Sequence, residues 1–322
     1  MNMETPLVDM SVVIVTWNVK RYVEECLESL QCQTECPPIE ITVVDNASSD
    51  GTADFIEKFF PSVKVVRNSA NLGFAIGNNI GIRGSKGKYI CLINPDVKVA
   101  PDCLSKVLAY MEQNPSIGIL GPKMLGPDGR VRRSCMRFPD AWNVFARAVG
   151  LDTLFNKSRF SSGLLMPDFR FDRVCDVDVL NGWFWVVRRK ALEQVGPIDE
   201  RFFMYGEDID WCYRFHQNAW RTVFYPEAQA VHYGGASSAR APIRLHIEMC
   251  KANVQFWRKH HRQLGRMFYL AVLWVHESLR LLGYAAIYSL RKSSRQEYVF
   301  KMRRSATCLL WLAGLYRLPE YR

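Results

Sequence analysis

Residues 39–52 read IEITVVDNASSDGT, an apolar and β-branched run that changes abruptly into a polar loop. The apolar part, Ile39 to Val44, predicts a buried strand. The polar part, Asp45 to Thr52, offers an N-cap for a helix that extends to about Phe60. A strand that leads directly into a helix is the repeating unit of a parallel α/β sheet. This stretch therefore predicts an α/β fold.

The same alternation continues on both sides of this stretch. Residues 10–17 (MSVVIVTW) predict a strand before it, and residues 63–66 and 88–93 predict two strands after it. A Gly- and Asn-rich helix opens at Asn71, between the last two strands. Strands that alternate with helices at spacings of roughly 20 to 30 residues indicate a doubly wound, mostly parallel sheet.

Polar side chains follow three of these predicted strands at the point where each strand ends. They are Trp17-Asn18, Asp45-Asn46 and Asn94-Pro95-Asp96. Ligands of doubly wound sheets bind beyond the carboxyl ends of the strands. The three clusters therefore predict one binding site at a single edge of the sheet.

A second acidic segment lies farther along the chain, where residues 202–211 read FFMYGEDIDW. Carboxylates among aromatic residues require a metal, a basic partner or a shared proton, because burying a bare charge is costly. Gly206-Glu207-Asp208 could also simply open a helix, where acids favour the dipole. Together with Asn94-Pro95-Asp96, this segment indicates an enzyme with a metal site, a general base and a phosphorylated donor.

Residues 179–187 (VLNGWFWVV) predict one further strand. Its alternation places Trp183 and Trp185 on one face and Phe184 on the other. Two interpretations of the tryptophans are open: stacking against a sugar, or packing in the core of the strand.

The composition is that of a folded protein, with 48% apolar and 23% charged residues among 322. The ten cysteines include no C-x-x-C pair, so neither a zinc ribbon nor a redox motif is indicated. We expect reduced cytosolic thiols and no signal peptide, because residues 1–9 carry acids and no basic start before an apolar run.

The net charge of +10 is concentrated in the C-terminal tail. From Lys251 onward there are 14 Lys and Arg against three acids, which leaves the first 250 residues at −1. The apolar runs Met267–Val275, Leu281–Leu290 and Ser305–Tyr316 are each shorter than the ~20 residues of a membrane span. We expect helices that lie on an anionic membrane surface. A helical subdomain or a dimer interface is the alternative.

Six motifs in order resemble a family 2 glycosyltransferase of the GT-A fold, most closely its rhamnosyltransferase-type branch. The resemblance extends from about residue 10 to residue 238, so the expected division is a GT-A domain, 1–238, and a helical, basic, membrane-surface region, 239–322. The motifs are residues 12–18 (VVIVTWN), 43–52 (VVDNASSDGT), 71–75 (NLGFA), 94–96 (NPD), 196–210 (GPIDERFFMYGEDID) and 231–235 (VHYGG).

The resemblance implies roles on the nucleotide side of the site. Thr16 and Asn18 would line the nucleotide pocket, and the Asp45 carboxylate would accept a hydrogen bond from a pyrimidine N–H. Asp45 as the N-cap of the next helix is the alternative. Asn71 and Gly73 would pack around the nucleotide, although Gly73 could simply permit a tight backbone.

Asn94-Pro95-Asp96 stands where the family usually has Asp-x-Asp. By this resemblance Asp96 would hold Mg²⁺ or Mn²⁺, and Asn94 would face the ribose or a water. The neutral amide in place of the first acid weakens the case for tight metal binding. His232 would be the matching metal ligand, with a purely structural histidine as the alternative.

Asp208 is the expected general base, with Glu207 beside it in the catalytic cluster. Glu207 and Asp210 are three residues apart and share a helical face. They are expected to tune Asp208 or to bind a basic residue such as Arg188 or Arg214.

The function implied is that of a metal-dependent, inverting hexosyltransferase of cell-wall or polysaccharide biosynthesis. It would move a sugar from a nucleoside-diphosphate donor to a hydroxyl of a lipid-linked surface glycan, on the cytoplasmic face of the membrane. Rhamnose is suggested by the branch resemblance and by no single residue. Direct transfer to polyprenyl phosphate and a non-catalytic nucleotide-sugar-binding paralogue are the alternatives. A nucleotidylyltransferase is disfavoured because residues 11–20 offer no glycine-rich phosphate loop, and no signature of a nucleic-acid-binding fold occurs.

Overall fold

The computed structural model describes residues 8–155, 163–166, 169–234, 242–290 and 295–317. The strands are β1 (Met10–Thr16), β2 (Ile39–Asp45), β3 (Lys64–Arg67), β4 (Tyr89–Ile93), β5 (Val97–Val99), β6 (Ile117–Leu125), β7 (Cys135–Met136), β8 (Cys175–Asp176), β9 (Val179–Leu180), β10 (Phe184–Arg188) and β11 (Arg221–His232). The main sheet has the strand order β3-β2-β1-β4-β10-β6-β11-β5, with β8 paired to β11. A second, two-stranded sheet joins β7 to β9.

Strands β3, β2, β1 and β4 are parallel to one another, as are β6 and β11, whereas β10 runs antiparallel between β4 and β6. The helices are α1 (Lys20–Gln31), α2 (Thr52–Phe59), α3 (Gly73–Gly84), α4 (Cys103–Gln113), α5 (Ala141–Ala148), α6 (Leu151–Leu154), α7 (Arg189–Val195), α8 (Glu207–Gln217), α9 (Pro242–Leu290) and α10 (Arg295–Leu312), with a 3₁₀ turn at Gly163–Leu165.

The sheet is covered by helices on both faces, as the alternation along β1 shows. Val12 and Ile14 pack in one hydrophobic core with α1, α2 and α4. Val13 points to the other face and packs in a second core with α3, α7 and α8. A strand buried on both faces requires a continuous apolar run, which is what residues 12–15 (VVIV) provide. The prediction of an α/β, doubly wound, mostly parallel sheet is confirmed.

The prediction of a single strand over residues 179–187 is wrong, because the chain turns in the middle of this segment. Strand β9 ends at Leu180, and β10 begins at Phe184 in a different sheet. Between them the Asn181 amide donates to the Ser134 carbonyl. Trp183 consequently lies outside the strand and packs against the same core as Phe184, whereas Trp185 packs in the other core. The expected shared face of the two tryptophans is therefore not formed.

The C-terminal region is helical, and it packs against the body of the protein through α9. Ala252, Phe256 and Trp257 of α9 form a hydrophobic cluster with Phe202, and Ile209 and Tyr213 of α8 pack against it. Helix α9 is broken at Arg262, which has φ 56° and ψ −156°, so that two helical segments are joined there. The expected boundary between residues 238 and 239 lies outside the described residues.

Within the described part of the chain, α9 is long and apolar enough to cross a membrane by length and composition alone. Its most apolar 18-residue stretch has a mean hydropathy of 1.3, and 17% of that stretch is buried. The sequence predicted separate short apolar runs, whereas in the structure one helix continues through residues 276–280. The charged Glu277 fits within this helix because its side chain is fully buried and hydrogen-bonded to His246.

Candidate active site

The polar clusters predicted at three strand ends lie at one edge of the sheet. Ile14 of β1 is paired with Ile93 of β4, so Thr16 and Asn94 leave the sheet side by side. The edge borders a cavity of about 230 Å³. Its lining is drawn from seven separate parts of the sequence: Val15, Thr16, Trp17, Val19, Asn46, Asn71, Gly73, Phe74, Asn94, Pro95, Asp96, Gly182, Trp183, Met204, Tyr205, Glu207, Asp208 and His232.

Asp45 organises the loop behind this cavity through its two buried carboxylate oxygens. The Thr16 hydroxyl donates to Oδ1 at 2.8 Å, and the Ser48 amide donates to Oδ2 at 2.9 Å. Asn18 has φ 54° and accepts a hydrogen bond from the Ser49 amide at 2.7 Å. Thus Thr16 lines the cavity, whereas Asn18 and Asp45 stand outside the lining among the described residues and hold the loop in place. The nucleotide contacts expected of these residues stay predictions.

Gly73 occupies a position that no other residue could take without rearrangement. It has φ +84°, and a Cβ atom there would overlap the carbonyl oxygen of Phe203. The Asn71 side chain accepts a hydrogen bond from the Gly73 amide, and the Phe74 amide donates to the Phe203 carbonyl. Gly73 therefore lets the start of α3 touch the segment before α8, so that both elements border the cavity.

Asp96 and His232 both line the cavity and lie next to each other, although they are far apart in sequence. Their side chains are buried, with 3.2 Å between Asp96 Oδ1 and His232 Nε2. The Gly234 amide donates to Asp96 Oδ2, and the ring of Trp183 lies 4.7 Å from the ring of His232. Among the described residues His232 Nδ1 is buried without a hydrogen-bond partner.

This pair fits a divalent ion such as Mn²⁺. A carboxylate oxygen and an imidazole nitrogen at that separation can both reach one ion, and both ligand types suit Mn²⁺. Asn94, which replaces the family's first acid, also lines the cavity. The sequence therefore predicts a pair of candidate ligands that the fold does bring together.

The acidic pair Glu207-Asp208 borders the cavity from the first turn of α8. The turn before this helix contains two left-handed residues, Tyr205 with φ 70° and Gly206 with φ 78°. Asp208 Oδ1 accepts a hydrogen bond from the Ile209 amide at 2.9 Å. Both acids line the cavity, on a segment separate from the one that carries Asp96.

Burial makes the two acids weaker than ordinary carboxylic acids. It raises the pKa of Asp208 to about 6, and backbone amides that donate to the carboxylate oppose the increase. The pKa of Glu207 is raised well above its usual range, first by burial and then by the charge of Asp208. Glu207 Oε2 has no hydrogen-bond partner among the described residues. Asp208 is therefore the acid of the coupled pair that we expect to ionise first, so its carboxylate is the one available as a base.

Asp210 belongs to a different site from its two acidic neighbours. It is fully buried and contacts Arg214 at 2.9 Å, Lys259 at 2.7 Å and His260 at 2.8 Å. The expected pairing with Arg214 is thus present. Arg188 lies elsewhere and donates to the carbonyls of Ile117, Met111 and Asn114.

Sequence reasoning did not single out Arg132, which reaches the side of the cavity that is lined by Asp96 and His232. Its guanidinium donates to the Tyr233 carbonyl at 3.4 Å and lies against Gly234, next to His232. Its Nε is buried without a partner among the described residues. Arg132 belongs to none of the motifs. It lies in the connection between β6 and β7, and only the fold brings it to Tyr233, which is 101 residues away in the sequence.

The sheet, the cavity and the two acidic segments define the class of GT-A glycosyltransferases. A sequence model of glycosyl transferase family 2 matches residues 11–196, more than half of the chain. The chain belongs to glycosyl transferase family 2 and is a glycosyltransferase.

One curated relative is an N-acetylglucosaminyl-diphospho-decaprenol L-rhamnosyltransferase of Mycobacterium tuberculosis. It is 31% identical over 246 residues, which cover 72% of this chain and 78% of the relative. The resemblance to the rhamnosyltransferase-type branch is thereby confirmed.

Two solved structures share the fold. The mannosyltransferase PcManGT from Pyrobaculum calidifontis, in complex with GDP-Man and Mn²⁺, has a TM-score of 0.55 and 17% identity, covering 94% of this chain and 87% of that one. Residues 1–349 of S. aureus TarS, in complex with UDP-GlcNAc, have a TM-score of 0.51 and 16% identity, covering 96% of this chain and 93% of that one. The GT-A fold predicted from the motifs is confirmed.

Proposed function

We propose that the protein is an inverting, divalent-metal-dependent hexosyltransferase that moves rhamnose from dTDP-rhamnose to a hydroxyl of a lipid-linked glycan. The observation that carries the proposal is the convergence of Asp96, His232 and the Glu207-Asp208 pair on one cavity at the carboxyl edge of the sheet. The rhamnosyltransferase relative, whose name includes a diphospho-decaprenol acceptor, supports the sugar and the acceptor class.

In this mechanism the Asp208 carboxylate removes the proton of the acceptor hydroxyl as its oxygen attacks the anomeric carbon. The bond from that carbon to the diphosphate oxygen breaks, and the nucleoside diphosphate leaves on the opposite side, which inverts the configuration. Asp96 and His232 would hold a divalent ion, which supplies positive charge next to the leaving diphosphate. Trp183 packs on His232 at that end of the cavity.

The function can be tested by measuring donor binding, followed by transfer. Thermal shift with UDP-, dTDP- and GDP-sugars, each with Mn²⁺, Mg²⁺ or EDTA, should show stabilisation by dTDP-rhamnose that EDTA reverses. Transfer is then assayed with N-acetylglucosaminyl-diphospho-polyprenol and with polyprenyl phosphate as acceptors. If product formed only with polyprenyl phosphate, the acceptor group would be the lipid phosphate rather than a glycan hydroxyl. Stabilisation by no nucleotide sugar would contradict the proposal.

The rate of transfer is expected to fall as the pH is lowered through about 6. Asp208 acts as a base only when ionised, and its raised pKa places the loss of the carboxylate near pH 6 rather than near pH 4. Below that pH the rate should decrease about tenfold per unit. A profile of kcat from pH 5 to 8 checks this, and a rate that is flat down to about pH 5 would argue against Asp208 as the base.

Arg132→Ala is expected to raise the donor KM by roughly ten- to a hundredfold, as loss of a charged hydrogen bond to phosphate does. The reason is the position of the guanidinium beside Gly234 and His232, where a donor diphosphate would lie. Arg133→Ala is the matched control, because this exposed neighbour donates instead to the Leu165 carbonyl. Equal KM values for the two variants would remove Arg132 from the donor site.

The C-terminal helices are proposed to hold the enzyme at the cytoplasmic face of the membrane. They combine the basic excess of the tail with exposed apolar side chains, among them Leu264, Met267 and Leu282. Cosedimentation with vesicles that contain anionic lipid should exceed that with neutral vesicles and decrease with salt. Equal recovery in the supernatant with both kinds of vesicle would contradict this placement.

A further inference from the structure

Four potential metal ligands that no sequence motif connects lie together in the C-terminal helices. They are His246, Cys250, Glu277 and Cys308, and their ligand atoms all lie within 4.8 Å of one another. His246 Nε2 is 2.9 Å from Glu277 Oε1 and 3.9 Å from Cys250 Sγ, which is 3.8 Å from Cys308 Sγ. This group of four residues, called the helix cluster below, is separate from the cavity that contains Asp96 and His232.

The helix cluster joins three helical segments. His246 and Cys250 are one turn apart on α9 before its break at Arg262, Glu277 lies on α9 after the break, and Cys308 lies on α10. Glu277 and Cys308 are fully buried. Among the described residues Glu277 Oε2 makes no hydrogen bond of normal geometry, although the Ser305 hydroxyl lies near this carboxylate. A carboxylate, two thiols and an imidazole gathered at one point are a ligand set that can bind a cation.

The spacing of the helix cluster is close to that of a tetrahedral zinc site. Bonds of about 2.0–2.3 Å to sulfur, nitrogen and oxygen place neighbouring ligands of such a site about 3.3–3.8 Å apart. The two contacts of Cys250 Sγ, at 3.8 and 3.9 Å, are already near this value. The hydrogen bond from His246 to Glu277 would have to lengthen by a few tenths of an ångström, and ligand atoms that are up to 4.8 Å apart would have to move about an ångström closer together.

We propose that His246, Cys250, Glu277 and Cys308 bind one structural Zn²⁺ that ties α10 to both segments of α9. Two thiolates, an imidazole and a carboxylate are a soft, mixed ligand set that favours zinc over Mg²⁺ or Ca²⁺. Four protein ligands close the coordination sphere, so the ion has a structural role and no catalytic one. The protons displaced from the thiols on binding pass to solvent.

An adjoining cavity makes the helix cluster accessible and supplies positive charge beside it. The cavity has a volume of about 560 Å³, reaches His246, Cys250 and Glu277, and is lined by Arg147 and Arg280. It provides an entry path, and its two cations offset the net negative charge of a site with three anionic ligands.

The test measures metal on the full-length protein purified without chelator. Plasma mass spectrometry should find about one zinc per chain. Replacement by Co²⁺ should give sulfur-to-cobalt charge-transfer bands and the intense d–d bands of a tetrahedral site. Cys308→Ser and the nearly isosteric Glu277→Gln should each lose most of the zinc. Cys103→Ser is the matched control, since this buried cysteine on α4 lies outside the helix cluster and should leave the metal content unchanged.

Asp96→Ala separates this site from the active site, because zinc and the cobalt–sulfur bands should persist when the catalytic metal ligand is removed. Folding of the variants is checked by circular dichroism, and the cobalt spectrum of the wild type requires no variant at all. Absence of zinc together with absence of cobalt–sulfur bands would overturn the proposal. So would a disulfide between Cys250 and Cys308 in the purified protein, detected by mass spectrometry under non-reducing conditions.

Discussion

Asp208→Asn is expected to lower kcat by about 10²- to 10⁴-fold, which is the usual contribution of a general base. The amide keeps the size of the side chain but has no basic oxygen in the pH range of the reaction. Asp208 lies at the first turn of α8 and borders the cavity with Asp96 and His232. Because the donor diphosphate would be bound on the Asp96 side, donor affinity should remain within a few-fold of wild type.

The measurement is single-turnover transfer with saturating donor, together with thermal shift by the donor. Asp172→Asn removes an exposed carboxylate elsewhere and should retain full activity. Glu207→Gln distinguishes the two acids of the site, because burial and the charge of Asp208 raise the pKa of Glu207 well above its usual range and so disfavour its ionised form. If Glu207→Gln reduced kcat more than Asp208→Asn, the base would be Glu207 and the proposed assignment would be wrong.

Asp210→Asn is expected to lower the free energy of unfolding by about 3–5 kcal/mol, as breaking a buried ion pair from one side does. Asp210 is fully buried between Arg214 of α8 and Lys259 and His260 of α9. Burial alone would raise its pKa, but the hydrogen bonds from His260 and Lys259 hold the pKa of this carboxyl below its usual range. Without the carboxylate, three basic groups would face one another in the joint between α8 and α9.

Urea denaturation followed by circular dichroism measures this loss. Asp102→Asn is the control, because Asp102 forms an exposed pair with Lys106 and should change stability by less than about 1 kcal/mol. In a double-mutant cycle, Lys259→Met should recover part of the loss, since it removes a charge that Asp210 had balanced. A loss below about 1 kcal/mol for Asp210→Asn would show that the joint does not depend on this carboxylate.

The order of strands and helices could be predicted from local patterns. Runs such as residues 12–15 are apolar on both faces and therefore belong in a sheet covered by helices on both sides. Parallel strands in such a sheet end at one edge, so Thr16 and Asp96 could be placed at a common site before the structure was known. The prediction that residues 179–187 form one strand failed because the turn at Asn181 is stabilised by a tertiary hydrogen bond to Ser134.

The sequence alone thus determined the family, the sheet and most candidate site residues, because these depend on local periodicity and on motifs whose residues are close in the chain. Only the tertiary structure decided which acids share a site. It separates Asp210 from Asp208, brings Arg132 to the side of His232, and gathers His246, Cys250, Glu277 and Cys308 into one cluster. These contacts join residues that are distant in sequence, and a pairing of that kind is set by the packing of helices against one another rather than by any local pattern.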